Sequence, residues 1–458
     1  MYLLNLKSKL LTLTAIFVAL SSTAPLAIAQ SIDISSMEDV KLKQDFLTGS
    51  KAGTLNSNDL LKKLSAFSSY PAPAAFKDSI YYVNDAVYGN VPFKLIIPKS
   101  YNPLVPNALV LLLHGAVKAS SFQDALPGHT NSEVETDPLV NALRKTNYII
   151  VMPYADPKKN FDWVNKGYGK KDNQTFNSLI NLLTQVKAVL NVDDNRVYAF
   201  GHSDGSDGAF AIDIYKSYFF AGFASYNSMF NYLFAKNLYL RNAVNRPLYV
   251  VHSDLDDLRP MLQTRAIVKL LDSLKTPITY KEYLGYQHQD KHLMMDFNNS
   301  IAFMNSSIRN PFQKNLYWET NDLANSGVDW ICIKQFDLLA PKADWHKTYN
   351  LKAYNKKTKS WYDNVQYYSK ADESAAIMAS FSNNIFTIQT SRVTQFEILI
   401  SPAMVNMAHD VIVILNGKQV LRKKVNADNN YTLSAFSKTH DRKALWVNHL
   451  SITINAEN

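Results

Sequence analysis

Residues 201–205 read GHSDG, between the apolar run RVYAF and the helix-compatible segment AFAIDIYKSYF. A G-x-S-x-G pattern where a strand passes into a helix is typical of a sharp turn that presents a serine as a nucleophile. The two glycines have no Cβ, so strand and helix can approach closely. The helix directs its first N–H groups and the positive end of its dipole at the turn. The pattern therefore predicts Ser203 as a nucleophile and the backbone N–H of Asp204 as a donor to a developing oxyanion.

Strands and helices alternate around this motif, from about residue 80 to residue 308. The runs ALVLLL and NYIIVM are continuously apolar, which is typical of strands buried on both faces of a sheet. Helical periodicity predicts two amphipathic helices. The pattern places helices at 179–190 and 261–274, and further strands at 81–87, 92–97, 196–200, 247–251 and 278–283, the first two joined by a turn at Gly89-Asn90. This alternation predicts an α/β fold, a mainly parallel sheet with helices on both faces.

The pattern changes after about residue 310, where helical periodicity disappears and short strand-like runs follow. These runs lie at 375–381, 385–390, 395–400, 411–415, 420–425 and 446–454. Asn416-Gly417 is a strong signal for a two-residue hairpin turn. We therefore predict an N-terminal extension at 30–75, a catalytic α/β domain at 76–310 and a smaller all-β sandwich domain at 311–458.

Residues 1–29 have the pattern of a signal peptide. Two lysines precede the apolar stretch LLTLTAIFVAL, which is too short to span a bilayer comfortably. Residues 27–29 read AIA, an A-x-A type of cleavage site. We expect the mature chain to begin at Gln30, to be exported to the periplasm or the cell exterior, and to keep no stable membrane span.

Composition narrows the classes of partner and cofactor. The chain of 458 residues is 47% hydrophobic and 19% charged, as in an ordinary globular protein. Its net charge of +9 is scattered, without the basic and aromatic motif of a nucleic-acid-binding protein. The single cysteine, Cys332, excludes an intramolecular disulfide. His288 and His292 are spaced as a helical pair but lack the carboxylate of H-E-x-x-H, so no metal or other cofactor is predicted.

A serine nucleophile needs a base, and the base needs an acid that orients it. In this type of sheet the chain order is serine, acid and histidine, each just after a strand. The loop HSDLDDLRP offers Asp256, four residues before Pro260, as the acid, and Asp254 stays an alternative. The loop GYQH follows the next strand and offers His288 as the general base.

A second donor to the oxyanion is predicted at the segment LLLHGA, which ends a strand at the same edge of the sheet. The backbone N–H of Ala116 is the natural partner of the N–H of Asp204. His114 is expected to support this loop. The carboxylate of Asp204 would oppose the charge of an oxyanion unless it points away from it.

Aromatic residues suggest two contact surfaces. Trp163 follows a buried strand, on a loop at the same edge as the GHSDG turn, and is predicted to line the substrate pocket. Trp345, Trp361 and Tyr362 suggest a sugar-stacking surface, and hence a polysaccharide contact through the C-terminal domain. Packing in the interior is the alternative for both sets.

From about residue 80 to residue 308 the chain resembles an α/β-hydrolase. It is most similar to secreted esterases of the polyhydroxybutyrate depolymerase, feruloyl esterase and carbohydrate esterase type. The segments PFKLIIPKSYNP, LLLHGA, VYAFGHSDG, HSDLDDLRP and GYQH carry this resemblance. It implies a serine esterase in which Ser203 is acylated, His288 is the base and Asp256 orients it. The substrate would be a small-molecule or polymer-linked ester.

Two features depart from the pattern of this family. The loop after Gly115 lacks the additional glycines of lipase-type sites, and the residue after the nucleophile is acidic. A serine peptidase of the prolyl-oligopeptidase type has the same chain order of catalytic residues and stays an alternative. A non-catalytic binding protein on the same fold is a third interpretation.

Overall fold

The computed structural model describes residues 32–34, 55–71, 80–116, 121–125, 137–164, 174–228, 238–355 and 357–454. The predicted signal peptide at 1–29 and the predicted mature start at Gln30 lie outside these residues and stay predictions. Within the described ranges, no helix is both long and apolar enough to cross a bilayer.

Nine strands of the described residues form one mixed sheet. In chain order they are β1 (Ile32–Asp33), β2 (Ile80–Asp85), β3 (Gly89–Ile96), β4 (Asn107–Leu113), β5 (Ile149–Pro153), β6 (Val192–His202), β7 (Gly222–Tyr226), β8 (Leu248–Ser253) and β9 (Ile278–Tyr283). Their order across the sheet is β1-β2-β3-β5-β4-β6-β7-β8-β9. Only β3 is antiparallel to its neighbours, β2 and β5. The predicted fold class, a mainly parallel α/β sheet, is confirmed.

Helices cover both faces of this sheet. In the described residues they are α2 (Pro138–Leu143), α3 (Thr175–Val189), α4 (Asp204–Lys216), α5 (Met261–Ser273) and α6 (His292–Ser306), whereas the first helix, α1 (Ser57–Ser65), buries Leu60 and Leu64 against Phe436 of the C-terminal part. Alternate residues of the central strand β4 enter different cores, because successive side chains of a strand point to opposite faces. Leu109 and Leu111 share a core with residues of α3, α4 and α5, whereas Val110 and Leu112 share a core with residues of α2 and α6.

The sequence pattern missed the inner strand β7. Its residues, GFASY, include small ones with low strand propensity, yet all five are buried between β6 and β8. A Cβ on Gly222 would lie 3.3 Å from the carbonyl oxygen of Pro247 and 3.4 Å from the ring of Phe303. Close tertiary packing, which local propensity does not reveal, selects small residues here.

The hairpin between β2 and β3 turns earlier than predicted. Asp85 pairs with Gly89, so residues 86–88 form the turn and Gly89 begins β3. The Asp85 carboxylate accepts hydrogen bonds from the backbone N–H groups of Val87 at 2.9 Å and Tyr88 at 3.1 Å. The predicted turn at Gly89-Asn90 is therefore wrong, because an aspartate that bonds to the following backbone sets the turn.

The C-terminal part is a β-sandwich with its own core. Its elements are β10 (Asn315–Thr320), β11 (Gly327–Val328), β12 (Ile331–Phe336), β13 (Tyr349–Asn355), β14 (Ser360–Ser369), β15 (Ala375–Ser382), β16 (Ile385–Ser391), β17 (Val393–Ile400), β18 (Val411–Leu415), β19 (Lys418–Lys423), α7 (Asn429–Thr439) and β20 (Asn448–Thr453). One sheet has the order β10-β15-β16-β18-β19 and the other β11-β12-β17-β20. The predicted hairpin at Asn416-Gly417 joins β18 to β19, with both residues at positive φ. The hairpin β13–β14 and the helix α7 were not predicted.

The three aromatic residues predicted as a sugar-stacking surface do not form one. Trp361 and Tyr362 are consecutive on β14, so their side chains point to opposite faces. The ring of Trp345 lies edge-on to that of Tyr317, with centroids 6.4 Å apart. The prediction that these three residues form one sugar-stacking surface is therefore wrong. A polysaccharide contact elsewhere on this domain stays a prediction.

Buried charges join the two parts of the chain. Asp194 on β6 lies 2.8 Å from Lys187 on α3 and 3.1 Å from Arg442, which follows α7. Arg309, which follows α6, lies 2.6 Å from Asp441. All five side chains are at most 7% exposed. The limits of the domains stay predictions, but the two parts share a buried ionic network.

Asp213, on α4, is a buried carboxyl group in the core of the α/β part. It is 0% exposed, and neither carboxyl oxygen has a hydrogen-bond partner among the described residues. Burial raises the pKa of Asp213 well above its usual range, although the charge of Arg246 acts in the opposite direction. Burial therefore favours the protonated form of this carboxyl group in the folded protein.

We expect Asp213→Asn to remove a pH-dependent cost of folding. The unfolded aspartate ionises near pH 4, whereas burial raises the pKa of the folded one well above this value. The stability that this group contributes is therefore complete below about pH 4 and falls as pH rises toward the folded pKa, by about 1.4 kcal/mol per unit. Urea unfolding from pH 5 to pH 8 should show the variant gaining on the wild type as pH rises. A constant difference would contradict this, and the exposed Asp272→Asn is the control.

Candidate active site

Ser203 lies at the sharp turn between β6 and α4. Its backbone has φ of 60° and ψ of −126°, which residues with a side chain rarely adopt. A Cβ on Gly201 would lie 2.2 Å from the backbone of Gly205, and a Cβ on Gly205 would lie 1.9 Å from the carbonyl oxygen of Leu113. Both glycines are therefore required, because three pieces of backbone meet at this turn.

His288, on the loop after β9, contacts the serine directly. Its Nε2 lies 2.8 Å from Ser203 Oγ, and its Nδ1 lies 2.8 Å from Asp256 Oδ2. An ionised carboxylate accepts a hydrogen bond and cannot donate one, so Nδ1 carries the proton. Nε2 is therefore free to accept the proton of the Ser203 hydroxyl.

Asp256 is ionised, and its carboxylate is held from several sides. Besides His288, its oxygens accept from the side chain of Asn227 at 2.8 Å and from the backbone N–H groups of Leu258 and Arg259 at 2.9 and 2.7 Å. Burial alone would oppose ionisation, but these donors, above all His288, lower the pKa of Asp256 to about 2. The alternative acid, Asp254, instead accepts from the backbone of Gly285 at 2.7 Å. The structure thus brings Asp256, and not Asp254, to the histidine.

Further polar residues hold Asp256 in place. The central one, Asn227, was not identified from the sequence. Asn227 follows β7 and donates to Asp256 and to Ser253 Oγ, at 2.8 and 2.7 Å. Its own amide oxygen accepts from His292 Nε2 at 2.8 Å. The only sequence signal for Asn227 is its position after a strand that was itself missed. His292 therefore supports the site through Asn227 and does not touch the serine.

Two other buried histidines, His202 and His252, brace the loops of the site. Burial lowers the pKa of His202 to about 3 and also lowers that of His252. Both are therefore neutral, and each donates its Nε2–H to a backbone carbonyl. His202 bonds to the carbonyl of His288 at 2.9 Å, and His252 bonds to that of Arg259 at 2.8 Å.

Ala116 lines the same cavity as Ser203, and Asp204, the other predicted donor, directly follows the nucleophile. Asp204 begins α4, where the first N–H groups of a helix have no acceptor within the helix. Next to Ala116, the Gly115 carbonyl accepts from His114 Nδ1 at 2.7 Å, while His114 Nε2 accepts from the backbone of Ala155. Because a peptide unit is planar and trans, this bond aims the N–H of Ala116 away from His114. His114 thus orients the predicted donor, as expected of a supporting residue.

Trp163 is not a pocket residue. It is 1% exposed, its Nε1 donates to the carbonyl of His114 at 3.0 Å, and its ring meets the His114 ring edge-on at 4.5 Å. It also packs against Gly208, where a Cβ would come within 2.8 Å of it. The predicted role in the substrate pocket is therefore wrong, because the loop folds this side chain under the sheet edge.

The carboxylate of Asp204 does not stand alone beside the oxyanion position. It accepts from Nη2 of Arg259 at 2.7 Å, and the same nitrogen donates to Asp207 at 2.9 Å. The other terminal nitrogen, Nη1, donates to Ser203 Oγ at 2.9 Å. Arg259 lies three residues after Asp256, and nothing in the sequence pattern distinguished it from a loop arginine. The sequence analysis expected the Asp204 carboxylate to repel an oxyanion. The positive charge of Arg259 offsets this repulsion.

Ser203 opens into a cavity of about 440 Å³. Its polar wall includes His114, Gly115, Ala116 and His288, and its apolar wall includes Leu139, Val140, Met152 and Leu258. A hydroxyl group hydrogen-bonded to a histidine therefore lies beside an apolar surface and beside the loop of Ala116, an arrangement suited to acyl transfer. In the parts of the chain that the structure describes, no group of three or more His, Cys, Asp or Glu residues could hold a metal ion.

The C-terminal part contains a second serine, histidine and acid array. His346 lies 3.0 Å from Ser391 Oγ and 3.1 Å from Glu319. All three residues are at most 2% exposed, so no substrate can reach them. This array is a buried polar cluster and not a second candidate active site.

Comparison with known proteins gives distant matches. No protein-family model and no curated protein matches the chain. Among solved structures, a thermostable esterase is 20% identical over 50% of this chain, with a TM-score of 0.40, and the match spans 63% of the esterase's length. An S-formylglutathione hydrolase from Agrobacterium tumefaciens is 11% identical over 50% of this chain and 95% of its own, with a TM-score of 0.39. A dipeptidyl peptidase 4 from Porphyromonas gingivalis is 11% identical over 50% and 35%, with a TM-score of 0.38. Values this low assign no activity to this chain.

Proposed function

We propose that the protein is a serine hydrolase that cleaves carboxylic esters through an acyl-enzyme on Ser203. One observation carries the proposal: Ser203 Oγ, His288 and Asp256 form a continuous chain of hydrogen bonds, each of 2.8 Å. The strained turn at Ser203 and the ionised state of Asp256 support it. The pattern of residues 1–29 supports export as part of the same proposal.

The proposed reaction has two halves. His288 Nε2 takes the proton of Ser203 Oγ while Oγ attacks the ester carbonyl carbon, and the π electrons move to the carbonyl oxygen. The backbone N–H groups of Ala116 and Asp204 stabilise this oxyanion. Its collapse breaks the bond to the alcohol, which leaves with the proton from His288. Water then gives a proton to His288 and attacks the acyl carbon, and Oγ leaves with that proton.

The test is hydrolysis of short-chain p-nitrophenyl esters together with labelling by a fluorophosphonate probe. We expect turnover, and we expect peptide mass mapping to locate the label on Ser203. Turnover of peptide p-nitroanilides without turnover of esters would indicate a peptidase. Absence of both turnover and labelling would overturn the enzyme proposal and favour a binding protein on this fold.

Asp256→Asn is expected to lower kcat for such an ester by about 10⁴-fold. An amide in place of the carboxylate can stabilise the wrong tautomer of the histidine, a change of this size in other serine hydrolases. Asp254→Asn, the matched control on the same loop, should keep kcat within about 10-fold, because Asp254 bonds to Gly285 and not to His288. Equal losses in the two variants, measured by initial rates, would contradict this assignment of the acid.

A further inference from the structure

We infer that Arg259 is a catalytic residue that stabilises negative charge on the Ser203 oxygen. The inference rests on the proposed acyl-enzyme function and adds a component that the sequence did not suggest. Its Nη1 donates to Ser203 Oγ at 2.9 Å, so the guanidinium touches the reacting atom itself. The oxyanion donors Ala116 and Asp204 act at the carbonyl oxygen, whereas Arg259 acts at the nucleophile.

The orientation of the guanidinium is fixed by its other terminal nitrogen. Nη2 has two hydrogens, and it donates to Asp204 Oδ1 at 2.7 Å and to Asp207 Oδ2 at 2.9 Å. The planar group then has its Nη1 edge turned toward Ser203. Asp204 and Asp207 both belong to the first turn of α4, so the nucleophile and the clamp on the arginine move as one unit.

The backbone of Arg259 ties the same residue to the acid. Its N–H donates to Asp256 Oδ1 at 2.7 Å, and its carbonyl accepts from His252 Nε2 at 2.8 Å. The side chain is 5% exposed. A cation held this firmly in a buried position needs no reorganisation when charge appears beside it, which is what electrostatic catalysis requires.

The Ser203 hydroxyl can form hydrogen bonds to His288 and to Arg259 at the same time. Oγ donates its hydrogen to His288 Nε2 and accepts from Arg259 Nη1 with a lone pair. As the proton passes to His288, negative charge grows on Oγ and the hydrogen bond from the cation strengthens. In the second half of the reaction the bond from the acyl carbon to Oγ breaks, and Oγ carries charge again until it regains the proton. Arg259 therefore assists both formation of the acyl-enzyme and its hydrolysis.

A purely structural role makes a different prediction. If Arg259 only neutralised Asp204 and Asp207, removing all three charges together would restore both stability and turnover. If Arg259 acts on Oγ, stability would return without turnover. The variants Arg259→Met and Arg259→Met/Asp204→Asn/Asp207→Asn separate these cases.

We expect Arg259→Met to lower kcat for a p-nitrophenyl ester by about 10²- to 10³-fold, the usual loss for one electrostatic donor. The rate of fluorophosphonate labelling should fall with it, and KM should change only a few-fold. Arg259→Lys should recover part of the loss, because it keeps the charge without the fork geometry. The triple variant should regain the melting temperature of the wild type but keep the low kcat of Arg259→Met.

The outcomes separate the two proposals. Turnover within about threefold of wild type in a folded Arg259→Met, or recovered turnover in the triple variant, would overturn the role of Arg259 while the esterase proposal stands. Failure of the wild type itself to hydrolyse esters and to be labelled would instead remove the proposed function. Arg246→Met, which breaks a buried pair with Asp329 away from the site, controls for general destabilisation.

Discussion

Replacing Ser203 by alanine is expected to lower ester turnover by about 10⁶-fold, the usual loss when a nucleophile that acts in concert with a base is removed. The hydroxyl supplies the atom that forms the acyl bond, so nothing else in the site can take its place. The variant should stay folded, because only one oxygen is lost and the change in the free energy of unfolding should be within about 1 kcal/mol. Initial rates with p-nitrophenyl esters and thermal unfolding would measure both quantities.

Ser206→Ala is the matched control for this experiment. Ser206 lies one turn further along α4, and its Oγ donates to the carbonyl of Ser203 at 2.6 Å without reaching the base. We expect it to keep at least about a tenth of the wild-type turnover and to keep fluorophosphonate labelling. A folded Ser203→Ala protein that retains labelling or substantial turnover would show that another residue is the nucleophile.

Replacing Arg442 by alanine is expected to cost about 3–5 kcal/mol of stability, because it removes one member of a buried ionic network. Arg442 bonds to the Asp194 carboxylate, to the Asn191 side chain and to the carbonyls of Phe67 and Val192. Its loss would remove the guanidinium donor from each of these buried acceptors, although Asp194 would keep Lys187 and the backbone N–H of residue 442. Although burial acts against ionisation, Arg309 and Lys187 hold the pKa of Asp441, in the same network, at about 2.

The exposed Arg422 provides the control for Arg442. It pairs with Asp410 at 3.1 Å, but its side chain is 63% exposed, so Arg422→Ala should change stability by at most about 0.5 kcal/mol.

The buried ion pairs between the two parts also predict that a chain that ends at residue 311 fails to fold. Arg309 and Arg246 would lose their buried carboxylate partners, Asp441 and Asp329. Chemical unfolding followed by fluorescence would measure the variants. A soluble, cooperatively folded truncated chain would contradict this prediction.

Much of the α/β fold could be predicted from the sequence, because its strands are buried on both faces. Strands β4, β5 and β8 were placed to within about two residues, since continuous apolar runs mark such strands in any sequence. The edge strand β9, ITYKEY, was placed equally well although none of its residues is fully buried. The strand β7 could not be found in this way. Its glycine, Gly222, is explained by the ring of Phe303 and by Pro247, which are distant in the chain.

The residues of the candidate site also differ in whether the sequence alone could identify them. Ser203, Asp256 and His288 could be identified because each follows a strand in a fixed order, and order is a property of the sequence. Asp254 and Asp256 are both loop aspartates by every local criterion. Only the path of the loop brings one of them to within 2.8 Å of His288.

The sequence alone determined most of the buried segments, where the sharp turn lies and which residues are available as nucleophile, base and acid, because apolar patterning and turn chemistry act over a few residues. The tertiary structure decided which side chains meet. It buried Trp163 under His114, paired Asp204 with Arg259, and linked Arg442 to Asp194 across the two parts of the chain. Such contacts join residues 49, 55 and 248 positions apart, and their energies depend on distance and burial that no local pattern contains.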